Sequence, residues 1–172
     1  MSGDARKPHF RFFPSAYEHG DVFLETDDAC EICHKPAGWL YVGSIYTADP
    51  RVKPCASCIA HGRLGEALGT NRYCLHDAEL VGTDRLTHDE IMQRTPGFAS
   101  FNAFEWPVSR GLPLAFAGYG DDPAFAELSA ARKAIRKAGE MLGERDWDYP
   151  ATYALVFQDL KRGSYHAIAD LD

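Results

Sequence analysis

The chain has 172 residues, enough for one domain that buries roughly 70% of the surface its unfolded form would expose. Asp and Glu outnumber Lys and Arg by 25 to 18, giving a net charge of −7 and a pI near 5.4. With no basic block of useful length, this balance argues against nucleic acid as the main partner, because phosphate binding draws on clustered Lys and Arg. An acidic surface instead favours encounter with a basic protein.

Residues Met1 to Phe10 contain no apolar run of the kind a secretory leader needs, which predicts a cytoplasmic chain with reduced thiols. Phe10–Phe13 and Val22–Leu24 read as short strands, separated by Pro14 and Gly20. Trp39–Val42 and Ser44–Thr47 continue the β pattern, rich in aromatic and β-branched residues. Ser57–Leu68 carries Ile59, Leu64 and Leu68 at helical spacing, with Gly69 as the stop. Thr87-His-Asp-Glu90 matches a capping box for a helix running to about Arg94, which Thr95-Pro-Gly-Phe98 ends.

Phe98, Phe101, Phe104 and Trp106 then read as core-facing strand or loop. Asp122 as N-cap and Pro123 at the first helical position open the longest helix, with Phe125, Leu128, Ile135, Ala138 and Leu142 as its apolar stripe. Arg132, Lys133, Arg136 and Lys137 make the other face basic, which for a helix of this composition reads as solvated surface. Tyr153–Phe157 and Ser164–Ile168, joined through Lys161-Arg-Gly163, predict a closing hairpin. The expected fold is α+β in a single domain, 1–172: a zinc-knuckle β-hairpin module over about 8–80, and a mixed helix and strand part over about 87–172. The longest apolar candidate, Leu112–Tyr119, is broken by Pro113 and far short of the roughly 20 residues of a membrane span.

Two cysteine pairs, Cys30-Glu-Ile-Cys33 and Cys55-Ala-Ser-Cys58, carry the strongest chemical signal. A CxxC pair places two sulfurs about one turn apart, and two such knuckles complete the tetrahedron that zinc prefers. Disulfides would need an oxidising compartment, and a thioredoxin-like redox pair would leave the second CxxC without a role. The expectation is therefore structural zinc on Cys30, Cys33, Cys55 and Cys58. Cys74 reads as a small core residue, and His34 and His61 as neighbours of the site rather than ligands. Four thiolates around a divalent cation leave a charge of −2, which His34, Lys35, Arg51, Lys53 and Arg63 stand close enough in sequence to offset.

Pro8-His-Phe10, the two knuckles, Ile59-Ala-His-Gly62, Thr95-Pro-Gly-Phe98, Trp106 and Phe116-Ala-Gly-Tyr119 follow one another along the chain. In these motifs the chain resembles the CbrC family of bacterial colicin-tolerance proteins. The resemblance implies a zinc-stabilised protein that neutralises a nuclease-type toxin, with a basic toxin domain as partner. Many members of that family carry a second cysteine group, whose places are taken here by Arg110 to Leu114, Gln158 and Lys161.

Against an enzyme stands the absence of a P-loop, a dinucleotide fingerprint, a Gly-x-Ser-x-Gly elbow or a His-Glu-x-x-His helix. Pro54-Cys55-Ala-Ser-Cys58 matches half of a zinc deaminase signature, but the upstream ligand and Glu have only His19-Gly-Asp21 to represent them. The sequence thus reads as a non-catalytic interaction protein. A nucleic-acid-associated zinc ribbon and a divergent deaminase-like zinc enzyme are the alternatives, and Glu25, Asp27, Asp28 and Glu31 read either as solvated acids or as a patch for a basic partner.

Overall fold

The computed structural model describes residues 7–48 and 51–171, so most of the stretch read above for a leader lies outside the described residues. The fold is α+β, built mainly from antiparallel hairpins and, among the described residues, four α-helices. The chain divides into two compact units, Met1–Asp77 with Asp84–Ala99, and Ala78–Thr83 with Ser100–Asp172. Helix Arg85–Arg94, expected beyond the seam, is grouped with the first unit.

In the first unit, β1 (Phe23–Ala29) and β2 (Pro36–Tyr41) form an antiparallel hairpin whose turn is the first cysteine knuckle. This differs from the expected strand pair at 39–42 and 44–47; the latter segment makes only a single bridge, Tyr46 to Cys74. Phe10–Phe13 is a turn rather than a strand, closed by the Phe13 amide on the Phe10 carbonyl at 3.1 Å. Its three phenylalanines are buried while Arg11 faces out, so the aromatic run reflects core packing without the alternation of a strand.

The helix expected over Ser57–Leu68 is two short pieces, α1 (Ala56–Ala60) and α2 (Leu64–Leu68). They part at Gly62, whose φ of +68° belongs to the left-handed region that ends a helical turn. Helix α3 (Arg85–Arg94) starts two residues before Thr87. Asp84 is its N-cap, taking the Thr87 amide at 3.0 Å, while the Thr87 hydroxyl donates to the same carboxylate at 2.7 Å.

The turn after α3 is clamped from several sides. The Tyr41 hydroxyl accepts from the Gly97 amide at 3.1 Å and donates to the Ser44 carbonyl at 2.8 Å. Buried His76 donates from Nε2 to the Thr95 carbonyl at 3.1 Å, and the Thr95 hydroxyl reaches the Glu90 carbonyl at 3.0 Å. A Cβ on Gly97 would stand 2.1 Å from the Leu75 carbonyl oxygen, so this position admits only glycine.

In the second unit, β7 (Ala115–Gly120), β8 (Ala151–Gln158) and β9 (Tyr165–Ala169) form an antiparallel sheet in the order β7-β8-β9. The short pairs β3 (Ala78–Glu79) with β4 (Phe104–Glu105), and β5 (Val108–Ser109) with β6 (Leu112–Pro113), complete its strands. The closing hairpin is as expected. Helix α4 (Ser129–Met141) covers one face of the sheet, burying Ala131, Ala134, Ile135 and Ala138 against Ala154, Val156 and Ala167. On the alternate residues of β8, Phe157 meets Trp106 and Phe116 edge to face at 5.4 and 5.6 Å. Both faces of β8 are thus covered over Ala154–Phe157, the continuous apolar run of this central strand.

Asp122 and Pro123 open a single 3-10 turn, Pro123–Phe125, instead of the long helix, which Leu128 precedes. Leu142 lies outside the stripe as the C-cap and is half exposed. None of the helices among the described residues is long and apolar enough to cross a membrane.

Gly97→Ala should lower the stability of the first unit by at least about 2 kcal/mol in chemical denaturation, because the turn must move off Leu75. Gly20→Ala, with open space around the new methyl, should change it by less than about 0.5 kcal/mol. Burial pulls the pKa of His76 from 6.5 down to about 4, only partly countered by its bond to Thr95. Between those values the unfolded chain takes up a proton that the folded chain excludes, so stability should fall by about 3 kcal/mol as pH drops through the window. His76→Gln keeps a donor and cannot titrate; its stability between pH 7 and pH 4 should fall by correspondingly less than that of the wild type.

Candidate metal centre

The first knuckle sits between two paired strands, which fixes its ends. Inside it, the Cys30 amide donates to the Lys35 carbonyl at 2.9 Å and the His34 amide to the Cys30 carbonyl at 2.8 Å. His34 takes the left-handed conformation, φ 58°, that lets the chain reverse. The second knuckle starts at Cys55, which is the N-cap of α1 and bridges to Leu40 of β2. Glu31 ties the two together: its amide donates to the Lys53 carbonyl at 3.1 Å, and its carboxylate accepts from the Lys53 amide at 2.8 Å.

These connections gather the sulfurs of Cys30, Cys33, Cys55 and Cys58 within 4.8 Å of one another. Cys30 and Cys58 stand 3.7 Å apart, Cys33 and Cys55 3.9 Å. A regular tetrahedron with zinc–sulfur bonds of about 2.3 Å has edges of about 3.8 Å. Neither separation approaches the roughly 2.0 Å of a disulfide. Cys30, Cys55 and Cys58 are at most 3% exposed, and Cys33 is half-buried. The four residues can hold a metal ion, and their softness and geometry fit zinc.

The charge pattern around the sulfurs is uneven. Burial opposes a thiolate at Cys30, but amides of Cys33, Cys55 and Ile32 aimed at its sulfur outweigh that and bring the pKa down to about 7. Two of these contacts measure 3.2 Å from Cys55 and 3.4 Å from Ile32. Burial pushes the thiols of Cys55 and Cys58 up, and neighbouring sulfur adds to the rise. One thiolate is thus prepared by the backbone, while its neighbours resist a second negative charge until a cation arrives.

Of the basic residues expected to offset the cluster, Arg63 reaches a sulfur, with Nη1 3.9 Å from Cys58. It is held there by two contacts to Glu66, both 2.9 Å. Exposed His61 turns its Nδ1 to the Ser57 carbonyl at 2.7 Å, and exposed His34 serves the turn, so neither joins the cluster. Cys74 is likewise outside it, half-buried opposite Tyr46. His19 lies against the Phe13 ring at 5.2 Å and, like Asp21, stands outside the four-cysteine cluster among the described residues.

Sequence reasoning missed two features. Glu31, read with the surface acids, is a brace between the knuckles. The second unit has a cleft of about 610 Å³, lined among others by Glu105, Trp106, Ser109, Ser164 and His166. Asp159, also in its lining, takes the amides of Lys161 and Arg162 on one carboxylate oxygen and the Arg162 guanidinium on the other.

Comparison with known proteins corrects the resemblance drawn from short motifs. The family whose model matches, over residues 7–169, is not the CbrC family, and the similar proteins carry the name of the matching family as well. Of the motifs that suggested CbrC, the CxxC pairs with Ile59–Gly62 build the knuckles, Thr95–Phe98 the clamped turn, and Trp106 with Phe116–Tyr119 the second unit's core, so they mark architecture. A protein of the matching family from Pseudomonas aeruginosa is 33% identical over 136 residues, 76% of this chain and 74% of that one. Relatives from Mycobacterium bovis and Mycobacterium tuberculosis are each 27% identical over 148 residues, 84% of this chain and 74% of theirs. No solved structure matches. The chain belongs to the Uncharacterised protein family (UPF0167).

Proposed function

We propose that this protein is a non-catalytic binding protein whose first unit is held by structural zinc and whose partner is a basic protein surface. The observation that carries the metal half is the gathering of four cysteine sulfurs, most of them buried, at the edge lengths of a zinc tetrahedron. With all four positions taken by cysteine, no vertex is left for a water to be activated, which supports a structural role. The immunity reading rested on the CbrC resemblance, and with that corrected nothing singles out a toxin. The partner is therefore stated by its charge.

Support for a basic partner comes from the net charge of −7 and from Glu25, Asp27 and Asp28, which stand exposed along β1. The nucleic-acid alternative loses ground at α4. Arg132 and Arg136 both bond Asp148, each at 3.0 Å, and hold its carboxyl down at about 2, so two of the four basic side chains on that face are already engaged within the unit and share one neutralising carboxylate.

Zinc binding in small fingers is worth about 10–16 kcal/mol, as much as the whole stability of a typical domain, about 5–15 kcal/mol. Purified protein should therefore contain about one zinc per chain by elemental analysis. Cys58→Ser should abolish the zinc and, with it, the native amide dispersion of the first unit, whereas Cys74→Ser should keep both. A folded, metal-free wild type, or loss of zinc on replacing Cys74, would refute the reading.

A further inference from the structure

On the first unit, outside the sulfur cluster itself, two rings hold a cation between them. Tyr17, in the 3-10 turn Ala16–Glu18, meets Trp39 of β2 edge to face, with centroids 5.0 Å apart and planes at 68°. Phe23 stacks behind Tyr17 at 4.9 Å, and Phe10 packs on the same pair at 5.9 and 5.8 Å. The walls of this corner are therefore set by buried core. Lys7 places its Nζ 5.0 Å from the Tyr17 centroid and 4.9 Å from that of Trp39. Both lie inside the roughly 6 Å range over which a ring quadrupole attracts an ammonium.

Two further features point to recognition of a cation rather than casual contact. Glu25 is the direct cross-strand partner of Trp39, so its side chain rises on the same face of the hairpin and puts a carboxylate at the rim. The Tyr17 hydroxyl donates to the Pro8 carbonyl at 2.6 Å, tethering the backbone immediately beside Lys7. One tyrosine thus anchors the strap and binds its charge. Lys7 itself is exposed while Tyr17 and Trp39 are half-buried, so the ammonium can leave for water without disturbing the rings.

We propose that the Tyr17–Trp39 corner is an alkylammonium-binding site, closed here by the chain's own Lys7 and filled by a lysine side chain of a basic protein partner when that strap lifts. The inference names the group through which the partner proposed above is read, and rests on that reading for the partner alone.

The test titrates the full zinc-loaded chain with tetramethylammonium chloride, following the Trp39 indole N–H resonance, with sodium chloride at equal ionic strength as control. Lys7→Met removes the internal competitor. It should bind the probe about two- to fivefold more tightly than the wild type, as expected for losing one exposed cation–π occupant. Lys7→Arg, which keeps a cation, should stay with the wild type. N-acetyl-lysine amide should compete with the probe in Lys7→Met, and Trp39→Leu, verified as folded by its zinc content and amide dispersion, should not bind. A Lys7→Met chain with no saturable shift beyond sodium chloride, or with the wild-type affinity, overturns the site. Binding of tetramethylammonium without competition by the lysine derivative overturns the assigned occupant. Neither outcome touches the zinc content on which the broader reading depends.

Discussion

Four thiol sulfurs crowded within 4.8 Å, three of them sealed from water, form an arrangement that a divalent cation stabilises and that thiolates alone cannot sustain. Backbone amides prepare Cys30 for ionisation, and burial together with mutual repulsion holds Cys55 and Cys58 back. A bound zinc ion would invert that balance by accepting all four charges at once. The residual charge of −2 would then fall where NH groups and the Arg63 guanidinium already point. The sulfurs and their donors are thus a matched set.

From that point the first unit is organised outward. The knuckle is the turn of the β1–β2 hairpin, so holding Cys30 and Cys33 sets the register of the strands on either side. Holding Cys55 and Cys58 starts α1 and places Cys55 beside Leu40. The hairpin in turn presents Tyr41 to the turn at Gly97 and Trp39 to Tyr17. The clamped turn and the aromatic corner are consequences of a hairpin whose closed end the metal would fix. The second unit has its own core, in which α4 and the Trp106 cluster cover opposite faces of β8.

What the sequence made legible, and what it hid, follows from the range of the interactions involved. The CxxC spacing encodes its geometry locally, and all four cysteines meet as expected. The closing hairpin was visible because alternation and a Lys-Arg-Gly turn are short-range signals. Strand β7 was hidden: its sequence, Ala115–Gly120, is rich in glycine and alanine, and it becomes a strand only by pairing with β8 across a register shift at Phe116 and Gly118. The break at Gly62 was hidden for a related reason, since the apolar spacing of Ile59, Leu64 and Leu68 survives a helix interruption that needs only one left-handed residue. Asp122-Pro123 was read correctly as a cap, but the turn it caps closes after three residues. Tyr17 carries no periodic or spacing signal at all, and its meeting with Lys7 and Trp39 is visible only in three dimensions. The family was mistaken because short motifs of turn and knuckle chemistry describe how a chain folds more than whose relative it is.

The nature of the metal shell is the point on which the rest turns, and X-ray absorption at the zinc edge of the purified protein examines it directly. The account predicts a single shell of four sulfur scatterers at about 2.3 Å. A nitrogen or oxygen scatterer at about 2.0–2.1 Å would contradict it, because it would open a vertex to histidine or water and return a catalytic role to the centre.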